Sequence, residues 1–161
     1  MDGLTLVATF GQTEPRQWLS LVAAYTLAVS LAVLLSRWRL RWQLLACVLL
    51  VAVAMPLSQH AESRLGTKDD RRIVVDEAMT FPVATLGLPL WRHPWLLPGA
   101  LVTSWVLDNR KPPPVAQAQS LPGGIGIVLD DVLANLYTLL LAHLALWLYR
   151  RRRRGRPGED G

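Results

Sequence analysis

Two pairs of adjacent carboxylates, Asp76-Glu77 in Ile73-Val74-Val75-Asp76-Glu77 and Asp130-Asp131 in Gly126-Ile127-Val128-Leu129-Asp130-Asp131-Val132, stand inside apolar stretches of the chain. An ionised carboxylate taken out of water without a partner costs on the order of several kcal/mol, so acids in such surroundings hold a cation, share a proton or face a wet cavity. Asp108, at the end of another apolar run, is a further acid of the same kind. Hard oxygen ligands suit Mg²⁺, which keeps several waters and binds substrate phosphate directly. Neighbouring residues on a helix point about 100° apart, so two helices must meet face to face before both pairs can address one ion.

Lys111 and a glycine-rich stretch widen the set. Gly123, Gly124 and Gly126 precede the helix that bears Asp130 and Asp131, where free backbone N–H groups at a helix start can receive a phosphate. Acids, a lysine and a glycine-rich helix start make joint sense if the ligand is a phosphate bridged by metal, because the metal neutralises acids and phosphate together. The plainer reading is that Asp130 and Asp131, expected in the first turns of their helix, only favour its macrodipole. Nucleophilic chemistry finds little support: no Gly-x-Ser-x-Gly elbow is present, Cys47 sits in an apolar run, and Ser104 has no base nearby. His60, His93 and His143 show no ligand spacing and read as packing or interface residues. Asp69 and Asp70 beside Arg71 and Arg72 read as a solvated charge cluster.

The elements that must position these residues read as membrane helices. The chain has 161 residues, 52% of them hydrophobic, and a mean hydropathy of +0.27, enough for one domain and richer in apolar side chains than most soluble domains. Residues 18–35 and 42–58 carry no charged side chain, and each run approaches the ~30 Å hydrocarbon thickness. They predict an antiparallel spanning hairpin turning at Arg37-Trp38-Arg39-Leu40-Arg41-Trp42. Residues 73–90 are apolar apart from Asp76-Glu77 but are interrupted by Pro82, Gly87 and Pro89, and residues 95–107 are apolar but too short for an untilted span, which predicts broken, re-entrant helices over 73–107 around a turn at Trp91-Arg92-His93-Pro94. Asn109–Ser120, with its proline run, reads as a loop. A C-terminal spanning helix follows, which the five arginines at 150–154 are expected to stop at the interface.

The expected fold is therefore an all-α integral membrane bundle, a single domain over residues 1–154 with a disordered polar tail at 155–161. The first 17 residues read as irregular or partly helical, without the features of a cleaved secretory signal. Gly66 is a helix stop. The seven tryptophans fall near the ends of apolar runs, as an interfacial belt requires. The net charge of +5 and the arginine cluster fit anionic head groups better than nucleic acid, because no aromatic or glycine-rich nucleic-acid motif accompanies them. Cys47, the lone cysteine, forms no intrachain disulfide.

These residues resemble the phosphatidylglycerophosphatase A family. Ile73-Val74-Val75-Asp76-Glu77, preceded by Gly66-Thr67-Lys68-Asp69, is similar to that family's Gly-x-x-Asp and Ile-Val-x-Asp-Glu segments. Leu107-Asp108 followed by Lys111-Pro112-Pro113-Pro114 is similar to its Asp-x-x-Lys-Pro-x-Pro segment. Gly123-Gly124-Ile125-Gly126-Ile127-Val128-Leu129-Asp130-Asp131 is similar to its Gly-Gly-x-Gly-Ile-x-x-Asp-Asp segment, the most specific of the three. The resemblance implies an all-helical, multi-pass protein of the bacterial inner membrane that removes the terminal phosphate of phosphatidylglycerophosphate with Mg²⁺. It implies that Asp76, Glu77, Asp130 and Asp131 form the metal and catalytic centre; read with it, Asp108 is expected in the catalytic set and Lys111, Gly123, Gly124 and Gly126 on the phosphate. The chain departs from the family pattern at three places. Pro15-Arg16-Gln17-Trp18-Leu19-Ser20-Leu21 replaces Pro-Gly-Thr-x-Gly-Ser-Leu, Thr80 replaces a usual glycine, and Trp105 replaces a common arginine whose charge Arg16 is expected to supply.

Two other readings compete. A catalytically inactive membrane protein that binds a divalent ion or an anionic lipid accounts for the altered loop around Arg16. A small cation channel accounts for the acids but not for Lys111 or the glycines. Charge does not fix orientation: nine basic residues fall on the arginine side and eight on the carboxylate side, or ten and seven if residues 73–107 cross fully and carry Arg92 over.

Overall fold

The computed structural model describes residues 2–10, 17–67, 70 and 72–154, and the sequence expectations for Arg16, Lys68, Asp69, Arg71 and the 155–161 tail lie outside them. The architecture is all-helical. In chain order the elements are α1 (Gly3–Ala8), α2 (Gln17–Leu35), α3 (Leu40–Leu65), α4 (Val75–Thr80) continued by a 3₁₀ turn over Phe81–Thr85, α5 (Leu96–Arg110), α6 (Val115–Gln119) and α7 (Gly123–Arg154).

Two helices, α3 and α7, are long and apolar enough to cross a membrane, with α2 a shorter apolar companion. At about 1.5 Å per residue, the 26 residues of α3 and 32 of α7 exceed the hydrocarbon thickness. Leu44, Leu45, Val48, Leu49 and Val53 of α3 all face outward. A helix with its large apolar side chains turned out and few turned in is at rest in lipid rather than water. Two boundaries differ from expectation. The arginines at 150–154 do not end α7, which continues through Arg154, since nothing after the apolar stretch breaks helical backbone before Gly155. Val115–Gln119 folds into the short α6 within the expected loop.

The hairpin of α2 and α3 is opened by an insert. Ala24, Ala28 and Ala32 of α2 are fully buried at four-residue spacing, a small-residue face against which α4 and the 3₁₀ turn lie. Phe81, Ala84, Leu88 and Leu90 meet Ala28, Ala32, Leu96, Ala100, Ala142 and Leu146 in one apolar core. Residues 75–110 thus form the broken hairpin that the prolines imply. Its turn lies at the arginine end: Gly87 N–H donates to Gln43 Oε1 at 2.9 Å, and His93 meets Tyr149 edge to face at 5.6 Å. At the opposite end Gly66, φ 71°, closes α3 as expected. Cys47 packs with Leu35 and Val83 as a small core residue.

Candidate active site

A cavity of about 770 Å³ opens at the end of the bundle away from the arginines. Asp76 and Glu77 reach it from α4, Asp108 from α5, Asp130 and Asp131 from α7, and Lys111 from the C-cap of α5. All five predicted acids and the predicted lysine share this one space.

Local backbone explains how each side chain is aimed. In both pairs the first acid accepts from the second residue's backbone: Glu77 N–H to Asp76 Oδ1 at 3.0 Å and Asp131 N–H to Asp130 Oδ1 at 2.9 Å. These bonds pin the first carboxylate of each pair and leave the second at its own angle. Asp76, Asp130 and Asp131 are buried, at 4%, 2% and 7% exposure. Asp130 lies seven residues inside α7, about two turns from its start, so the macrodipole of a first turn does not account for it. The dipole does favour Asp76 and Glu77, which occupy the first turn of α4.

Lys111 supplies the positive charge. Its Nζ lies 2.5 Å from Asp130 Oδ2 and 3.6 Å from Asp108 Oδ1. Its backbone is left-handed, φ 44° and ψ 57°, a costly conformation for a residue with a Cβ, and its N–H caps Leu107 at 2.8 Å. That bend turns the chain from α5 toward α7. Tyr137 holds the following segment by donating its hydroxyl to Pro113 O at 2.8 Å.

The glycines do not line the cavity. Gly124 N–H donates to Gln59 Oε1 at 2.7 Å, and a Cβ on Gly124 would strike Met55 O and Gln59 of α3. A Cβ on Gly126 would strike Leu121 O, and one on Gly123 the Gln59 amide. All three glycines allow close packing here, and the expectation that Gly123, Gly124 and Gly126 cradle phosphate gains no support from the lining of the cavity. His60 pairs with Asp2, His93 with aromatic rings and His143 with Leu139 O, so none serves the cavity.

Four lining residues escaped the sequence reading. Tyr25 of α2 is half-buried and lines the cavity together with Glu77; a phenol inside an apolar helix needs a polar partner, which was the available signal. Asp70 also lines the cavity, gripped by Arg72 through Nε at 2.9 Å and Nη2 at 2.8 Å, rather than lying in a solvated cluster. Arg72 holds its carboxyl below the usual carboxylate range. Trp105, 57% exposed, and Asn109 complete the α5 side. With Leu101 and Val102 the tryptophan makes one wall of the cavity apolar.

The donor set fits a divalent cation that retains water. Among the described residues Asp131 Oδ2 is buried without a hydrogen-bond partner, and the oxygens around it are hard ligands. Among the described residues no three His, Cys, Asp or Glu side chains close into a ready-made metal cage.

A lipid-facing helical bundle built around an acid-lined, lysine-bearing cavity is a membrane protein with a polar reaction site. The phosphatidylglycerophosphatase A family matches residues 6–146. A Bacteroides thetaiotaomicron protein named "Putative phosphatidylinositol-3-phosphatase" is 30% identical over 121 residues, covering 74% of this chain and 76% of that protein. No solved structure matches. The chain belongs to the phosphatidylglycerophosphatase A family, and its class of activity is that of a phospholipid phosphatase, a hydrolase.

Proposed function

We propose that this protein hydrolyses the terminal phosphate of phosphatidylglycerophosphate to give phosphatidylglycerol, with Mg²⁺, as a multi-pass protein of the bacterial inner membrane. The observation that carries the reading is the meeting of Asp76, Glu77, Asp108, Asp130, Asp131 and Lys111 around one cavity with an apolar wall. A phosphate monoester on a lipid needs both features, a charged end and a greasy side.

When bound, Mg²⁺ would polarise a phosphoryl oxygen and offset the negative charge shared by phosphate and carboxylates. Asp76, Glu77, Asp130 and Asp131 are the residues that would hold it. Lys111 Nζ binds a phosphate oxygen while remaining on Asp130, and Asp108 orients that ammonium. Asp131 Oδ2, buried and without a hydrogen-bond partner among the described residues, is the acceptor at which a proton of the attacking water is held, its other oxygen being the one that would face the metal. Tyr25, which lines the same cavity, offers Glu77 a hydroxyl partner. Leu101, Val102 and Trp105 take the glycerol and upper acyl chains and exclude bulk water. Water adds to phosphorus, the ester oxygen leaves as the lipid alcohol, and inorganic phosphate is released.

The test uses purified protein in detergent with phosphatidylglycerophosphate and Mg²⁺. Inorganic phosphate is released by the wild type and not by Asp130→Asn; equal release by that variant refutes the mechanism. The name of the Bacteroides relative supports a second substrate reading, a lipid with a phosphorylated inositol ring. Side-by-side kcat/KM values for phosphatidylinositol 3-phosphate and phosphatidylglycerophosphate decide between the two.

A further inference from the structure

A chain of uncharged polar side chains crosses the bundle next to the acids. Asn135, 3% exposed, donates from Nδ2 to Thr80 Oγ1 at 3.1 Å and accepts at Oδ1 from Ser104 Oγ at 2.7 Å. Thr80 is itself fully buried. The two bonds link α4, α5 and α7, the same three elements that carry the carboxylates.

The spacing is what gives this chain a function. Thr80 follows Glu77 by three residues, Ser104 precedes Asp108 by four, and Asn135 follows Asp131 by four. Residues three or four apart share a helix face, so each linked side chain stands one turn from an acid of the site. A second recess is lined by Glu77, Asp108 and Asp131 together with Ser104 and Asn135, which places links and acids around the same space.

Apolar packing alone tolerates small sliding and rotation of helices, whereas a hydrogen bond weakens steeply with distance and angle. Buried and mutually satisfied polar groups therefore specify one alignment.

We propose that Thr80, Asn135 and Ser104 form a positioning relay that sets the register of α4, α5 and α7, so that Glu77, Asp108 and Asp131 converge on the cavity. The proposal rests on the phosphatase reading of that cavity. The three are positioning residues, acting through the acids rather than on the substrate.

The full chain, purified in detergent, is compared with Thr80→Val, Thr80→Ser and Asn135→Leu. Readouts are kcat and KM for phosphatidylglycerophosphate, Mn²⁺ binding by loss of the free-ion EPR signal, and the thermal midpoint. Thr80→Val and Asn135→Leu lower kcat about 10- to 100-fold with KM within about threefold, and weaken Mn²⁺ binding about tenfold. Thr80→Ser keeps the hydroxyl and holds both values within about threefold of wild type. A folded Thr80→Val that matches Thr80→Ser in kcat and Mn²⁺ affinity overturns the relay, as does a parallel loss in both variants that merely tracks the thermal midpoint. Should Asn135→Leu fail to fold, Ser104→Ala against Ser104→Thr makes the same comparison. A wild type that hydrolyses lipid and binds Mn²⁺ while the relay variants do so equally well refutes the relay alone. A wild type that does neither refutes the phosphatase reading and the relay with it.

Discussion

On the proposed reading Lys111 serves stability and chemistry at once, and the two are separable. Asp130 is almost fully buried against it, so Lys111→Met strands a carboxylate, and breaking a buried pair costs about 3–5 kcal/mol. The expected outcome is a lower thermal midpoint together with a fall in kcat/KM of about 100-fold or more. Adding Asp130→Asn to Lys111→Met removes the stranded charge: the midpoint recovers and phosphate release does not. Asp70 gives a pH signature away from the spanning helices. Its carboxyl is held low by Arg72, so its contribution is present above the unfolded value of about 4 and is lost as pH falls through the folded one. Thermal midpoints taken from pH 7 to pH 3 therefore drop at the acid end, and Asp70→Asn flattens that drop. The charged members of the site were legible in the sequence because a carboxylate or lysine in apolar surroundings stands out. Tyr25, Ser104 and Asn135 were not, since an uncharged polar residue is ordinary in a helix and its partner lies far along the chain: Ser104 meets Asn135 across 31 positions.

Helix by helix, the apolar runs announced α2, α3 and α7, and Pro82, Gly87 and Pro89 announced that the middle of the chain breaks. Hidden from sequence was the insertion of α4 between the arms of the first hairpin, because the buried alanines of α2 look like any apolar run until the partner face is known. The glycines before α7 show the same limit. A glycine-rich helix start suits both a phosphate and a neighbouring helix, and only the approach of α3 decides between them. Gly124→Ala would place its methyl against Met55 O and the Gln59 backbone, and Gly126→Ala against Leu121 O. Neither obstacle can rotate away as a side-chain end could. Each substitution is expected to destabilise the protein by about 1–3 kcal/mol, read as a lowered midpoint in detergent. Gly99 of α5 is the control, with nothing within 4 Å of an added Cβ, and Gly99→Ala is expected to be neutral or stabilising by up to about 1 kcal/mol.

Across the whole molecule charge is segregated by end. Gly87 bonds Gln43 beside the first turn and His93 meets Tyr149, so the turn bearing Arg92 lies with Arg37, Arg39, Arg41 and Arg150–Arg154. Arg64, Arg72, Arg110 and Lys111 are the basic side chains of the opposite end among the described residues, and three of them are paired with carboxylates, Arg64 with Asp2, Arg72 with Asp70 and Lys111 with Asp130. The open tie of the sequence count is thereby broken toward the arginine end. Rings reinforce it: Arg41 over Trp42, Arg92 over Trp91 and Arg151 over Trp147 place cation and aromatic together, as head-group level favours. Each basic residue at an anionic surface contributes about 1 kcal/mol, so the positive-inside rule predicts the arginine end in the cytoplasm. The expected outcome is a C-terminal green fluorescent protein fusion that is bright and a C-terminal alkaline phosphatase fusion that is inactive. Replacing Arg150–Arg154 by glutamine weakens that contrast. Because the acids lie at the other end, the same orientation opens the cavity toward the outer leaflet, and lipid added outside intact spheroplasts is hydrolysed without permeabilisation. Hydrolysis that requires permeabilisation, together with an active C-terminal alkaline phosphatase, reverses the assignment and makes the bonded Arg64, Arg72 and Lys111 end the cytoplasmic one.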